Sequence, residues 1–89
     1  LDSLKSLLRA EQAHLRSDSA TISLLNRLSQ EYRSRNADSS LKYALEALER
    51  SEKIGFTSGL GAALINLGNI YRNLGDYNRA FRAHERALT

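Results

Sequence analysis

The fold is decided by residues 60–88, which read LGAALINLGNIYRNLGDYNRAFRAHERAL. Large apolar side chains recur in the first half of this stretch at intervals of four, three, four and three, from Leu60 to Leu74. These intervals keep them on one face and predict an amphipathic α-helix. Gly75 can adopt the left-handed conformation that ends a helix, and Asp76 can cap the next one. The stretch therefore predicts two helices joined by a tight turn.

The residues before this pair predict three helices. A lead-in helix over residues 1–17 is indicated by leucines near one side of a helical projection: Leu1, Leu4, Leu7, Leu8 and Leu15. Asp18 is placed to cap the helix that follows. The apolar face of this second helix is marked by residues at helical spacing: Leu25, Leu28 and Tyr32. The polar residues 34–38 are expected to end it.

A further helix is expected to begin at Asp38 or Ser39. Its apolar face carries Leu41, Ala44, Leu45 and Leu48. Gly55 is expected to end it, because a residue without a Cβ tolerates positive φ. Residues 55–59 are then the connection to the next helix. No stretch alternates with a period of two, so the sequence predicts an all-α fold of five helices.

Length and composition limit the classes of function that the chain can have. The chain has 89 residues, 42% of them apolar, which suits one small domain with a modest core. The absence of Cys excludes disulfides and thiolate metal sites, and the absence of Pro favours uninterrupted helices. The net charge of +3 is mild for a nucleic-acid-binding module. No apolar run approaches the roughly 18–20 residues that cross a bilayer.

The chain contains an internal repeat. A shift of 39 residues superposes six pairs of identical or similar residues: Leu25 and Leu64, Leu28 and Leu67, Ser29 and Gly68, Tyr32 and Tyr71, Arg33 and Arg72, Asn36 and Gly75. A shift of 40 superposes Ala47 on Ala87 and Leu48 on Leu88. The difference of one residue falls in a turn, where an insertion costs little. Two helical hairpins of one design account for the pattern.

The second hairpin resembles the tetratricopeptide repeat (TPR), which has small and aromatic residues at fixed positions. The resemblance is carried by Leu64, Leu67, Gly68, Tyr71, Gly75, Asp76, Tyr77, Ala80, Ala87 and Leu88. The first hairpin is similar, but Ser29, Asn36 and Ser40 replace the small residues of the family pattern. The resemblance implies a single-domain TPR-like superhelix of two hairpins, residues 18–55 and 56–89, after the lead-in helix. It also implies that the helices approach closely at Gly68 and Ala80.

A narrower resemblance concerns the lead-in helix, residues 18–21, residues 24–29 and residues 53–55. These segments are similar to TPR segments ahead of bacterial sensor histidine kinases, adenylate cyclases and helix-turn-helix regulators. The resemblance implies a protein-interaction scaffold or sensory module, in the bacterial cytoplasm or periplasm, that is a fragment of a longer protein. It implies no cofactor.

In the TPR family the first helix of each hairpin lines the inner surface of the superhelix. Position-by-position matching assigns to that surface Asn26, Gln30, Arg33 and Ser34 from the first hairpin, and Ile65, Asn69, Arg72 and Asn73 from the second. Amides can bind a peptide backbone, and guanidinium groups bind carboxylates. The resemblance thus implies a groove for a peptide with acidic character. The alternative is that these polar residues only solvate one helix face.

Nucleic-acid binding is the runner-up function. Arg79, Arg82 and Arg86 lie on one face of the last helix, where they could contact phosphates. Asp76 and Glu85 dilute their charge, and no interleaved aromatic residues provide a stacking platform. A solvated helix face is the preferred interpretation.

Metal and catalytic sites are not supported by the sequence. His14 and His84 are the only histidines, and without Cys they leave no zinc-binding set, so His84 is expected to be a packed or interface histidine. Gly55, Gly59 and Gly61 lack the Gly-Lys-Ser/Thr ending of a phosphate-binding loop. No serine stands in an elbow motif with an assignable base, so the chain is not expected to be an enzyme.

The last helix carries an apolar stripe: Tyr77, Ala80, Phe81, His84, Ala87 and Leu88. Two hairpins fall short of the roughly three repeats that a stable solenoid needs. Phe81, His84 and Leu88 are therefore expected to contact further repeats or a second copy of the chain. Domain exchange and a symmetric dimer both remain open.

Overall fold

The computed structural model describes residues 18–88, and every regular element in this range is an α-helix. Helix α1 is described over residues 18–32, and α2 (Ala37–Ile54), α3 (Thr57–Asn73) and α4 (Tyr77–Leu88) follow. Because short turns join them, they form two consecutive helical hairpins, α1–α2 and α3–α4. The predicted all-α fold is confirmed. The lead-in helix predicted for residues 1–17 lies outside the described residues.

The first hairpin turns at Asn36, which caps α2. Its side-chain oxygen accepts a hydrogen bond from the backbone amide of Ser39 at 3.1 Å, and this satisfies an amide that a helix start leaves free. Helix α2 therefore begins at Ala37, which corrects the predicted start at Asp38 or Ser39. Asp18 is already helical, so the prediction that it stands before α1 as its cap is wrong.

Gly55 ends α2 as predicted, with φ 68° and its amide bonded to the carbonyl of Ser51. The connection that follows is shorter than the predicted residues 55–59, because α3 already begins at Thr57. Phe56 is half-buried and packs against the core between the helices. Since this anchor fixes the chain directly after Gly55, two residues are enough to connect the hairpins.

The turn of the second hairpin follows its predicted chemistry. Gly75 has φ 84°, a conformation that a Cβ would oppose. Asp76 accepts a hydrogen bond from the Arg79 amide at 3.2 Å, and its own amide donates to the carbonyl of Tyr71 at 2.8 Å. The left-handed glycine and the capping carboxylate together reverse the chain within three residues.

Helix α3 lies centrally and packs against the other three helices. One buried cluster joins α1, α2 and α3: Ile22, Leu25, Ala47 and Ala63. A second cluster joins α2, α3 and α4: Ala44, Leu67, Ile70 and Ala83. Alanines occupy the contact points in both clusters, because a small side chain lets helix backbones approach closely. The stacking of the two hairpins is thus built around α3.

Two buried serines hold the first hairpin together. The Ser29 hydroxyl donates to the Ser40 carbonyl at 2.9 Å, and the Ser40 hydroxyl donates to the Ser29 carbonyl at 2.6 Å. The second hairpin has buried Gly68 and Ala80 at the repeat-equivalent positions. All four residues are small, so both hairpins allow the same close approach. The serines satisfy each other's hydrogen bonds, and this explains why the first hairpin accepts the departure from the family pattern.

The buried face of α2 differs from the predicted one. Its buried residues are Ser40, Ala44, Ala47 and Ser51. Leu45, which was expected on the apolar face, is 44% exposed, and Leu41 and Leu48 flank the contact at intermediate burial. The reason is that close helix contacts select small residues at their centre and leave leucines at the margins.

Gly68 is close-packed against the other helix of its hairpin, α4. A Cβ added to Gly68 would overlap the imidazole ring of His84. His84 is half-buried there, which confirms the expectation that this histidine is packed. The absence of a side chain at Gly68 therefore makes room for the ring of His84.

Candidate functional site

Helices α1 and α3 are joined by buried amide groups. The Asn26 side chain donates to the carbonyl of Gly59 at 3.2 Å. Asn66 donates from its side chain to the backbone and side-chain oxygens of Asn26, at 3.1 and 3.3 Å. A Cβ added to Gly59 would lie 2.6 Å from a methyl group of Ile22, so the helix backbones are very close here. These contacts fix how α3 lies against α1.

Asn26, which the TPR resemblance assigned to the inner surface, is almost completely buried. Only 6% of it is exposed, and its amide is occupied within the chain. The repeat-equivalent residue Ile65 is 50% exposed. The two differ because α3 covers Asn26, whereas no helix in the described range covers Ile65.

A cleft of about 380 Å³ opens between α1 and the start of α3. The residues that line it come from both helices and from the connection before α3: Ser23, Asn26, Arg27, Gln30, Phe56, Ser58, Gly59 and Ala62. The buried contacts of Asn26 and Gly59 form its base, and the exposed side chains of Arg27 and Gln30 border it. Arg27 lies 4.0 Å from Glu31 on the same helix, a weak and exposed pair.

The structure brings only part of the predicted groove together at this cleft. Two predicted residues, Asn26 and Gln30, line it, and the others lie outside its lining: Arg33, Ser34, Ile65, Asn69, Arg72 and Asn73. Asn69 is half-buried, and the rest of these are exposed. Only two of the eight predicted residues therefore line the cleft, and the sequence did not indicate its other lining residues.

Helical spacing and a correct start for α3 would have identified the lining residues that the sequence analysis missed. Ser23 and Arg27 lie within one helical turn of Asn26 and Gln30, so they share their face. Phe56 and Ser58 were assigned to a five-residue connection, and this error hid their position at the start of α3. A correct helix start would have placed Ser58 on the same side as the cleft.

Arg33 and Arg72 stand at the carboxyl ends of α1 and α3, separated by the repeat interval of 39 residues. Both are exposed, and neither forms an ion pair with a described residue. A guanidinium group can bind a carboxylate through two parallel hydrogen bonds.

Comparison with protein families decides the identity of the fold. Residues 1–86 match the family described as the SusR N-terminal TPR domain. The chain belongs to this TPR family. The comparison with curated proteins and the comparison with solved structures each gave no match.

The resemblance of the sequence to the TPR family is thereby confirmed. The two stacked hairpins and their close-packed small residues are the structural form of that repeat. TPR domains are generally non-catalytic modules for protein–protein interaction, so this TPR domain is assigned to that broad class.

The basic face of α4 in this TPR domain is largely engaged within the chain. Arg79 lies 3.3 Å from Asp76 and 5.7 Å from the ring centroid of Tyr71. Arg86 forms an ion pair with Glu52 on α2 at 2.6 Å. Two of the three arginines thus have an anionic neighbour within the chain, and the third, Arg82, is exposed.

Two further findings concern the described part of the chain. No helix there is long and apolar enough to cross a membrane. Residues 18–88 also contain no group of three or more His, Cys, Asp or Glu side chains placed to hold a metal ion.

Proposed function

We propose that this TPR domain binds an extended segment of a partner protein in the cleft between α1 and α3. The observation that carries the proposal is the cleft itself, a concavity bordered by exposed hydrogen-bonding side chains. Its base is rigid, because Asn26, Asn66 and Gly59 are hydrogen-bonded to one another across the two helices. Because the base is rigid, the domain loses little conformational entropy when a segment binds.

The lining suits a peptide backbone. Gln30 provides an amide donor and an acceptor, and Ser23 and Ser58 add hydroxyl groups on the two sides of the cleft. Phe56 and Ala62 supply apolar surface for one side chain of the ligand. The expected ligand therefore has a free backbone edge and a small or medium apolar residue.

Exposed arginines on the border of the cleft and at the carboxyl ends of α1 and α3 favour acidic residues in the ligand. Arg27 is exposed on the border, and Arg33 and Arg72 are exposed beyond it. The net charge of the chain is +3. Guanidinium groups bind carboxylates with two parallel hydrogen bonds, which gives direction as well as attraction. The proposed ligand is thus an extended acidic segment.

We further propose that the domain is a regulatory or sensory module of a longer bacterial signalling protein. This rests on its similarity to the TPR segments of such proteins and is supported by the family description, which names an N-terminal domain of SusR. The coding sequence around this segment tests it: an adjoining kinase, cyclase or DNA-binding domain is expected, and an unrelated enzyme domain would contradict it.

The binding proposal is tested by titration with a set of extended peptides, each rich in Asp and Glu around one apolar residue. The parent chain is compared with the double variant Arg33→Ala with Arg72→Ala. Exposed ion pairs contribute about 0.2–1 kcal/mol each, so the double variant should bind about 2- to 30-fold more weakly. Arg82→Ala removes an exposed arginine from α4 and should leave the affinity unchanged.

The cleft is tested separately with Ala62→Phe, which fills it without changing charge. Binding should be lost for acidic peptides and for their Asn and Gln analogues. If the double arginine variant and Ala62→Phe both bind as tightly as the parent, the cleft is not the binding site. A loss with Ala62→Phe alone would retain the cleft and remove the acidic character of the ligand.

A further inference from the structure

The two helices that form the cleft carry exposed arginines beyond one of its ends and not beyond the other. Helices α1 and α3 run in the same direction, because the chain reverses at each of the two short turns between them. At their carboxyl ends stand Arg33 and Arg72, both exposed. At their amino ends, residues 18–22 of α1 and residues 57–61 of α3 contain no Lys or Arg. The positive charge that these helices add beyond the cleft therefore lies on one side of it.

Amide side chains continue from the cleft towards these arginines. Gln30 lines the cleft on α1 and is exposed. Asn69 is half-buried on α3, seven residues after Ala62. Seven residues are about two turns of helix, so Asn69 lies on the same side of α3 as Ala62. Since an amide both donates to and accepts from a peptide backbone, the two side chains suit a ligand that leaves the cleft in this direction.

The distance from the cleft to the arginines follows from helix geometry. Ala62 lies between the two residues of α3 that are hydrogen-bonded to Asn26, so it is level with Asn26. Arg33 is seven residues beyond Asn26, and Arg72 is ten residues beyond Ala62. At about 1.5 Å per residue, the arginines lie roughly 10 and 15 Å along the helices from this level. An extended chain covers about 3.3 Å per residue, so the distance corresponds to roughly three to five ligand residues.

We propose that the ligand of the cleft has a fixed pattern of residues. One apolar residue lies in the cleft, and the acidic residues lie on one side of it, about three to five positions away. The apolar residue contacts Phe56 and Ala62, and the carboxylates pair with Arg33 and Arg72. This pattern rests on the proposed binding of an acidic segment in the cleft and adds to it the order and spacing that the segment must have.

The acidic residues that are nearest in sequence to the two arginines pair with other side chains. Glu31 lies 4.0 Å from Arg27, and Asp76 lies 3.3 Å from Arg79. No ion pair between described residues involves either of the two arginines at the carboxyl ends of α1 and α3. Their positive charge therefore favours carboxylates of a ligand at this end of the cleft.

A set of peptides of identical composition tests the pattern by titration against the 89-residue chain. Each peptide contains one leucine and one pair of glutamates among serines and threonines. The pair is placed next to the leucine, four residues away or ten residues away, and either before or after it. Because composition is constant, charge and apolar surface do not vary. Binding should be tightest at the separation of four in one of the two orders, by about 2- to 30-fold, the contribution of two exposed ion pairs.

Variants of the chain test which residues read the separation. Arg33→Ala with Arg72→Ala should bind the peptides with equal affinity at all three separations. Arg82→Ala removes an exposed arginine from α4 and should retain the preference for a separation of four. Circular dichroism checks that each variant is folded, and Arg33→Gln with Arg72→Gln replaces the alanine variant if the latter unfolds.

The outcomes separate this pattern from the binding proposal on which it rests. Equal affinities of the parent at the three separations, or a preference that survives in the double arginine variant, would overturn the pattern. If Ala62→Phe still abolishes binding in that case, the cleft remains the binding site. If the parent binds none of the peptides, the binding of an acidic segment in the cleft is itself wrong, and the pattern is wrong with it.

Discussion

Gly59 and Gly61 lie two positions apart in α3. Replacing each by alanine measures the steric cost of the close contact between the hairpins. A Cβ at Gly59 would lie 2.6 Å from Ile22, 2.6 Å from Phe56 and 2.7 Å from Ser51, and so would touch α1, the connection and α2. Ile22 and Ser51 are almost completely buried, so they have little room to move. A Cβ at Gly61 would meet nothing within 4 Å.

The two alanine substitutions should therefore have different effects. Alanine gains about 0.5–1 kcal/mol over glycine inside a helix, and this gain is common to both positions. Overpacking at Gly59 costs about 1–3 kcal/mol, and Gly61 has no such cost. Gly61→Ala should be more stable than the parent, and Gly59→Ala less stable than Gly61→Ala by about 1–3 kcal/mol. For a domain of this size the two melting temperatures should differ by about 4–24 °C.

The assay is urea unfolding and thermal melting, both followed by circular dichroism at 222 nm. The difference between the two variants isolates the steric cost, because the helix propensity gain cancels. Equal stabilities for Gly59→Ala and Gly61→Ala would refute the close approach of α1 and α3 at this point.

Three further variants test single contacts by the same urea unfolding assay. Ser51→Ala should leave the free energy of unfolding unchanged or raise it by about 1 kcal/mol, because the buried Ser51 hydroxyl has no hydrogen-bond partner within residues 18–88; a clear loss would contradict this. Asn66→Ala should cost about 1–3 kcal/mol of the free energy of unfolding, since it removes the donor to the buried side-chain oxygen of Asn26 and a second donor to the backbone carbonyl of Asn26, and a neutral result would show that these bonds are absent. Gly75→Ala should cost about 1 kcal/mol or more because of φ 84°, with Gly75→Asn less harmful; equal losses would argue against a left-handed turn.

The second hairpin could be predicted from sequence because its signals are local. The apolar intervals of α3, the left-handed Gly75 and the capping Asp76 each act within one or two turns of helix. Gly55 ended α2 for the same reason. Local stereochemistry therefore determined where these helices stop.

The predicted starts of α2 and α3 were wrong. Asn36 was interpreted as a substitute for a turn glycine, although its side chain caps α2. Phe56 lies before α3 without making a side-chain cap bond, and its position depends on packing against the core. The sequence shows no local sign of this anchor, so α3 was predicted to start too late.

The candidate site was predicted only in part, because matching repeat positions assumes that all repeats have equal surroundings. Asn26 and Ile65 occupy equivalent positions, yet the first is buried and the second is half-exposed. The difference arises from the helix that covers α1 in the folded chain. Exposure in a short repeat array thus depends on which neighbours are present, and the residue pattern does not contain that information.

The contact between Ile22 and Gly59 tests the stacking of the two hairpins most directly. In a nuclear Overhauser spectrum of the full chain, the Ile22 methyl protons should show cross-peaks to the α-protons of Gly59. The account predicts these cross-peaks in the folded protein, because α3 lies directly against α1 there. A folded helical chain in which the Ile22 methyl groups contact only α1 and α2 would contradict it.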